Sequence, residues 1–204
     1  WQVQAISPTN EKGELACDKF NSLAKGLLNA AARPEGKLPF AVGDKIVRLK
    51  NGQVRGGHFD RAESKDEPAD AGVPDDGGQV RIVNGDIGLI REIDSKHIIV
   101  DFRYPDRRAW IKRADHELRL AYCMTCHKLQ GSECEIVILP LHRSIARLPM
   151  VGREWIYTAM SRAKRILITV GDLDAIGPMI ARVGTNDRQT MLARLLGQLI
   201  RKEA

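Results

Sequence analysis

Between Val42 and Phe102 the chain sets short β-rich runs close together, with no helical pattern separating them. The runs are Val42–Leu49, Val80–Val83, Ile87–Ile93 and His97–Phe102, with turn signals at Asn84-Gly85 and Asp94-Ser95. Strands spaced this closely predict a small antiparallel barrel of about five strands. The segment Asn51 to Gly78 is rich in Gly, Asp, Glu and Pro and poor in apolar residues, and it reads as a long hairpin loop.

Either side of this block the texture is α/β. Trp1–Ile6 alternates like a strand and ends in the polar turn Ser7-Pro8-Thr9-Asn10. Leu15–Asn29 reads as a helix with Phe20, Leu23, Ala24 and Leu27 on one face. From Leu118 onward the pattern predicts a strand to Thr125 and a loop from His127 to Gly131. A buried strand Glu135–Leu139, a helix Glu154–Met160 and a strand Arg165–Val170 follow. A last helix, Arg188–Arg201, carries Met191, Leu192, Leu195, Leu196 and Leu199, and Asn186 with Gln189 resembles its capping box. The fold class expected is therefore α/β with a parallel sheet, interrupted by the antiparallel barrel.

The 204 residues suffice for one domain with a small insert, and the net charge of +6 suits a polyanionic partner. No apolar run approaches the roughly 20 residues of a membrane span. The chain has neither a starting Met nor a signal-peptide pattern, so it reads as a piece of a longer protein. The four cysteines, Cys17, Cys123, Cys126 and Cys134, are too few for a secreted disulfide framework, which predicts a reduced, cytoplasmic setting without a membrane partner.

Two polar clusters sit at the ends of apolar runs. In Thr125-Cys-His-Lys-Leu-Gln-Gly-Ser-Glu133 the hydroxyls of Thr125 and Ser132 and the side chains of His127 and Lys128 can donate to anions, and Gly131 admits close backbone approach. Taken by itself, such a cluster is also what a polar surface loop looks like. In Tyr157-Thr-Ala-Met-Ser-Arg-Ala-Lys164 a helix presents Arg162, whose planar donor fork suits phosphate or, structurally, the carbonyls that end a helix. The substring Cys123-Met-Thr-Cys126-His127 also matches a haem-attachment pattern. Residues three apart on a strand point to opposite faces, so the two sulfurs would diverge from one porphyrin, and a zinc site meets the same objection. The reading takes no metal site and treats Cys123 and Cys134 as small buried hydrophobes.

In this order, the two blocks resemble the fifth and sixth motifs of superfamily-one DNA helicases. The likeness is strongest to the branch containing RecD and TraI, and to the UvrD-like helicase C-terminal domain. Trp1–Asn10 resembles the start of that family's second RecA-like domain. Val42-Gly-Asp-Lys45 and Asn84-Gly-Asp-Ile-Gly88 resemble its SH3-like insert. Cys126 and Leu129 stand where the fifth motif more usually has an aliphatic residue and a serine.

The resemblance implies a RecA-like domain over 1–38 and 117–175, an inserted SH3-like barrel over 39–116 with its loop at about 51–78, and a helical extension over 176–204. It implies that Arg162 is an arginine finger for the γ-phosphate. Gln130, Gly131 and Glu133 would face ATP, and Thr9, Asn10, Thr125, His127, Lys128 and Thr158 would contact single-stranded DNA. Arg48, Arg81, Arg103, Arg107 and Arg108 of the insert would help hold or separate strands. The expected activity is 5′ to 3′ DNA unwinding driven by ATP with Mg²⁺. The expected partners are the protein's own N-terminal helicase domain and, beyond it, recombination or repair subunits, as for an exodeoxyribonuclease V alpha subunit. No Gly-x-x-x-x-Gly-Lys-Ser/Thr string occurs in the 204 residues, so this piece alone is expected to be inactive. The rival readings are a single-stranded nucleic-acid-binding module without motor function and a Cys/His metal or haem protein.

Overall fold

The computed structural model describes residues 2–32, 38–58, 78–103, 105–129, 131–184 and 191. The expected helix 188–201 with its cap, Trp1, Gln130 and the greater part of the 51–78 loop lie outside the described residues.

Strands β1 (Val3–Ile6), β9 (Cys123–Met124), β10 (Cys134–Leu141) and β11 (Ala163–Gly171) form one parallel sheet in the order β11-β10-β1-β9. Val137, Leu139 and Leu141 of β10 point to one face. There they pack with Ile145 of α2 (Arg143–Ala146), Trp155, Ile156 and Ala159 of α3 (Arg153–Met160) and Met179 of α4 (Ile176–Ala181). The other face carries helix α1 (Cys17–Leu28), which buries Cys17 against Ala5 and Cys123. This is the α/β layer that the flanking sequence predicts. The expected burial of α1 is revised, however: it turns Cys17, Asn21 and Ala24 inward and leaves Leu23 and Leu27 at 70% and 83% exposure.

The residues between β1 and β9 build a second sheet, antiparallel throughout. It holds β2 (Lys45–Arg48), β3 (Gly52–His58), β4 (Gln79–Ile82), β5 (Ile87–Ile93), β6 (His97–Phe102), β7 (Arg107–Lys112) and β8 (Leu118–Leu120). Their order is β4-β3-β7-β6-β5-β2-β8, seven strands where about five were expected, and the sheet is not closed by a ladder. It curls around its own apolar side, bringing Val80 and Ile82 of β4 into one cluster with Ile46, Ile90, Val100, Phe102 and Ile111. Gly52–His58 is strand rather than loop, and β3 pairs with β4 as a hairpin around residues 59–77.

The single strand expected over Leu118–Thr125 is two strands in two sheets. β8 pairs with β2 and β9 with β1, so Ala121 and Tyr122 pass directly from one sheet to the other. Their backbone is pinned from both sides. Ala121 donates its N–H to the Lys45 carbonyl (2.8 Å), and the Gln4 amide donates to the carbonyls of Ala121 and Tyr122 (3.1 and 3.2 Å). The Tyr122 hydroxyl donates to Asp44 (3.1 Å).

Lys45 sits at this junction, 5% exposed, with its ammonium donating to Gln4 Oε1 (2.8 Å) and the Val3 carbonyl (2.9 Å). Neither acceptor carries a charge, so burial lowers the amine from 10.5 to about 8. The unfolded chain then binds more protons than the folded one between these values, and stability rises with pH across that window. Urea unfolding at pH 8 and pH 9 is expected to show wild type gaining about 1 kcal/mol relative to the Lys45→Met variant over that unit. Burial also raises the Cys126 thiol to about 11 and the Cys134 thiol above its ordinary value, an opposing trend common to both proteins that the comparison removes. Equal pH slopes in wild type and variant would rule Lys45 out as the source.

Candidate functional site

The cluster 125–133 begins where β9 ends, at the carboxyl edge of the parallel sheet, where open α/β sheets hold ligands. The Thr125 carbonyl accepts from the N–H groups of Lys128 (3.0 Å) and Leu129 (3.3 Å), which winds the chain into a turn. Cys126 and Leu129 point into the core, and His127 is thereby thrown outward, exposed. Thr125 itself is only 6% exposed. Lys128 is half-buried, and burial together with the nearby charge of Arg119 lowers its amine. Gly131 has φ of 83°, a left-handed conformation that a side chain would oppose. Ser132 and Glu133 follow, both exposed.

Tyr157–Lys164 approaches this cluster from the other side. Thr158 donates its hydroxyl to the Glu154 carbonyl (2.7 Å), and Arg162 follows the last turn of α3. The Arg162 guanidinium donates to the carbonyls of Thr158 and Ser132, both at 3.3 Å, and its own carbonyl accepts from the Cys134 N–H at 2.9 Å. Lys164 lies 3.5 Å from the Glu133 carboxylate. Two strings some thirty residues apart are thus a single surface.

That surface borders a cleft of about 430 Å³ lined by Gly131, Ser132, Glu133 and Lys164 on one side and by Gly85, Asp86 and Arg103 of the antiparallel sheet on the other. The Asn84-Gly85 turn is where the sequence predicts it. Its packing beside the 125–133 loop is a tertiary fact that no local signal announced. Lys164 and Asp86 belong to the cleft and had no assigned role.

Thr9 and Asn10 lie in the turn after β1, where their carbonyls accept from the N–H groups of Cys17 and Asp18 (both 2.9 Å) and start α1. The Thr9 hydroxyl donates to the Lys12 carbonyl at 2.6 Å. Gln130 lies outside the described residues.

Three of the arginines expected to grip nucleic acid are instead committed to carboxylates. Arg48 pairs with Asp115 (2.7 Å), Arg107 with Asp86, and Arg108 with Asp101 (2.7 Å). Arg48 and Arg107 are buried, so their charges stabilise the antiparallel sheet rather than face a ligand. Arg81 is exposed.

The cysteines do separate, although Cys126 lies in the turn beyond β9 and not on the expected strand. Cys123 packs beneath α1, its sulfur 3.7 Å from that of Cys17, while Cys126 and Cys134 sit in the cluster on the opposite face. Its bond to Cys17 and burial both push the Cys123 thiol up. Among the described residues, no group of three or more His, Cys, Asp or Glu side chains could hold a metal ion, and no helix is long and apolar enough to cross a membrane.

Residues 120–170 match the UvrD-like helicase C-terminal domain. The ATP-dependent RecD2 DNA helicase of Deinococcus radiodurans is 27% identical over 95% of this chain, which covers 23% of that protein. An uncharacterized protein of Methanocaldococcus jannaschii is 38% identical over 35% of the chain and is covered over 6% of its own length. The crystal structure of Pif1 helicase from Bacteroides with ADP-AlF3 and single-stranded DNA aligns over 99% of this chain and 46% of its own, with a TM-score of 0.50 and 13% identity. The last likeness establishes a shared fold, including the RecA-like parallel sheet. The chain spans about a quarter of the RecD2 relative and less than half of the Pif1 chain.

Proposed function

We propose, from the premise that this chain is a superfamily-one helicase C-terminal domain, that it forms one wall of the ATP site and part of the single-stranded DNA track of an ATP-driven DNA motor. The observation that carries this reading is the bond from Arg162 to the Ser132 carbonyl, which joins the two motif blocks in one surface. Arg162 is the finger that meets the γ-phosphate, Gln130, Gly131 and Glu133 border the nucleotide, and ATP with Mg²⁺ is held mainly by the N-terminal helicase domain of the same protein.

His127 and Lys128 are the donors turned toward a DNA backbone. Thr125, being buried, shapes the turn that presents them, and Thr9, Asn10 and Thr158 extend the same track. The RecA-like body comprises 1–38 and 117–175, the antiparallel sheet acts as its SH3-like insert over 39–116, and 176–204 is a helical extension. The whole protein is read as a cytoplasmic, RecD-like helicase moving 5′ to 3′ and serving recombination or repair, as an exodeoxyribonuclease V alpha subunit does. The 204 residues alone are expected to show no ATP turnover, since the phosphate-cradling Lys and hydroxyl are not among them.

The test is made in the full-length protein. His127→Ala is expected to weaken single-stranded DNA binding by about tenfold, the order of one lost charge-assisted hydrogen bond. The loss should be similar across base sequences, because phosphate contacts carry no base information, and DNA should stimulate ATP turnover less. Unchanged DNA affinity in this variant would remove the 125–133 turn from the track.

A further inference from the structure

Strand β2 is apolar on both faces. Ile46 joins the core of the antiparallel sheet. Its neighbour Val47 points the other way, with Leu49 two residues on and Ile87 paired opposite it on β5, and these three pack into the cluster of the parallel sheet. An antiparallel sheet with only its own core to cover would turn polar residues to that side. The same cluster takes in Cys126 and Leu129, the two inward anchors of the 125–133 turn. The other sheet therefore builds part of the floor beneath that turn.

The Asn84-Gly85 turn adds a wall. Gly85 has φ of 96°, and a Cβ there would stand 3.4 Å from the Lys128 carbonyl. Asp86 fixes this turn by accepting the Val83 N–H at 2.7 Å and pairing with buried Arg107. Arg107 is held in turn by the Pro105 carbonyl (2.7 Å) and lies 5.5 Å from the centre of the Phe102 ring. A buried ion pair adds little net stability, and what it supplies here is a fixed position for Gly85. The far end of the 125–133 turn has a different support, since Arg162 donates to the Ser132 carbonyl at 3.3 Å and accepts from the Cys134 N–H at 2.9 Å.

We infer that this rim of the antiparallel sheet, through Val47, Leu49, Gly85 and Ile87, positions the His127-Lys128 half of the turn for single-stranded DNA. The inference rests on the reading of that turn as part of the DNA track. None of the four residues touches DNA; they are positioning residues that act through the backbone of 126–129. Because the nucleotide half of the turn is held from α3, loosening the rim weakens DNA grip and leaves turnover on saturating DNA nearly intact.

The test uses two variants of the full-length protein. Ile87→Ala thins the floor, with Ile87→Val in its place should the alanine fail to fold. Gly85→Asn keeps a residue that tolerates the left-handed backbone but extends a side chain from a Cβ already against Lys128. In each, the amides of 126–132 are expected to exchange hydrogen about tenfold faster, while those of β6 keep the wild-type rate. The single-stranded DNA concentration that half-saturates ATP turnover should rise about three- to tenfold, no more than on removing His127 itself. Wild-type exchange at 126–132 in either variant would overturn the proposal. So would reduced turnover at an unchanged half-saturating concentration, the mark of lost folded protein. Faster exchange with unchanged DNA dependence also overturns it where His127→Ala does weaken binding. If His127→Ala is equally without effect, the DNA-track reading is what has failed, and the DNA role of the rim falls with it.

Discussion

Replacing Arg162 with alanine in the full-length protein is expected to cut ATP turnover by about 10³–10⁵-fold while leaving nucleotide affinity nearly intact. The asymmetry follows from when the charge is needed. Negative charge spreads over the equatorial oxygens of the transferring phosphoryl group, and a guanidinium aimed there stabilises the transition state far more than the bound nucleotide. In the structure the Arg162 guanidinium donates to two uncharged backbone carbonyls, those of Thr158 and Ser132, at the lip of the 125–133 loop. Steady-state turnover and nucleotide titration on the same preparation separate the two effects. Turnover at the wild-type level would leave Arg162 as the residue that ends α3, and an equal loss in affinity and turnover would make it a ground-state contact.

The largest effect on stability is expected at Asp101, in the antiparallel sheet. This carboxylate is 2% exposed on β6 and takes Arg91 Nε at 2.8 Å and Arg108 Nε at 2.7 Å. The hydrogen bond that Arg108 donates to Asp101 also raises the Arg108 pKa. Asp101→Ala leaves cations without this counter-charge beside the sheet. Removing one partner of a buried pair costs about 3–5 kcal/mol, and the partial exposure of both arginines favours the lower end. Arg91→Ala, at the more exposed end, should cost about 1 kcal/mol or less. Urea unfolding of the two variants checks the order, and a cost below that of Arg91→Ala at Asp101 would show that the carboxylate does not organise this sheet.

The α/β flanks and β2, β4, β5 and β6 were legible because their apolar residues alternate or recur at helical spacing. β7 was missed because its inward face is Arg107, Ala109 and Ile111, so a buried arginine and a small residue leave one large apolar side chain to mark the alternation. β3 was read as loop because of its glycines. Yet Gly56 is there because a Cβ would run into the Arg108 carbonyl and Val80, a close approach of three strands that composition cannot reveal. The arginines of the antiparallel sheet look in sequence like a solvated basic face. Their partners lie seven to sixty-seven residues away, so their neutralisation is visible only once the strands are paired. At the site, both motif strings were legible locally, whereas the contribution of Asp86 and Lys164 to one cleft depends on how the two sheets abut.

The two-residue passage at Ala121 and Tyr122 has a mechanical consequence. A connection this short, pinned by Gln4, Lys45 and Asp44, leaves no slack, and one sheet cannot swing against the other without breaking several hydrogen bonds at once. Strain applied to the antiparallel sheet travels along β8 straight into β9, and β9 ends at the root of the 125–133 turn. Tension borne by one sheet therefore becomes torque on that turn, through a lever arm a few residues long.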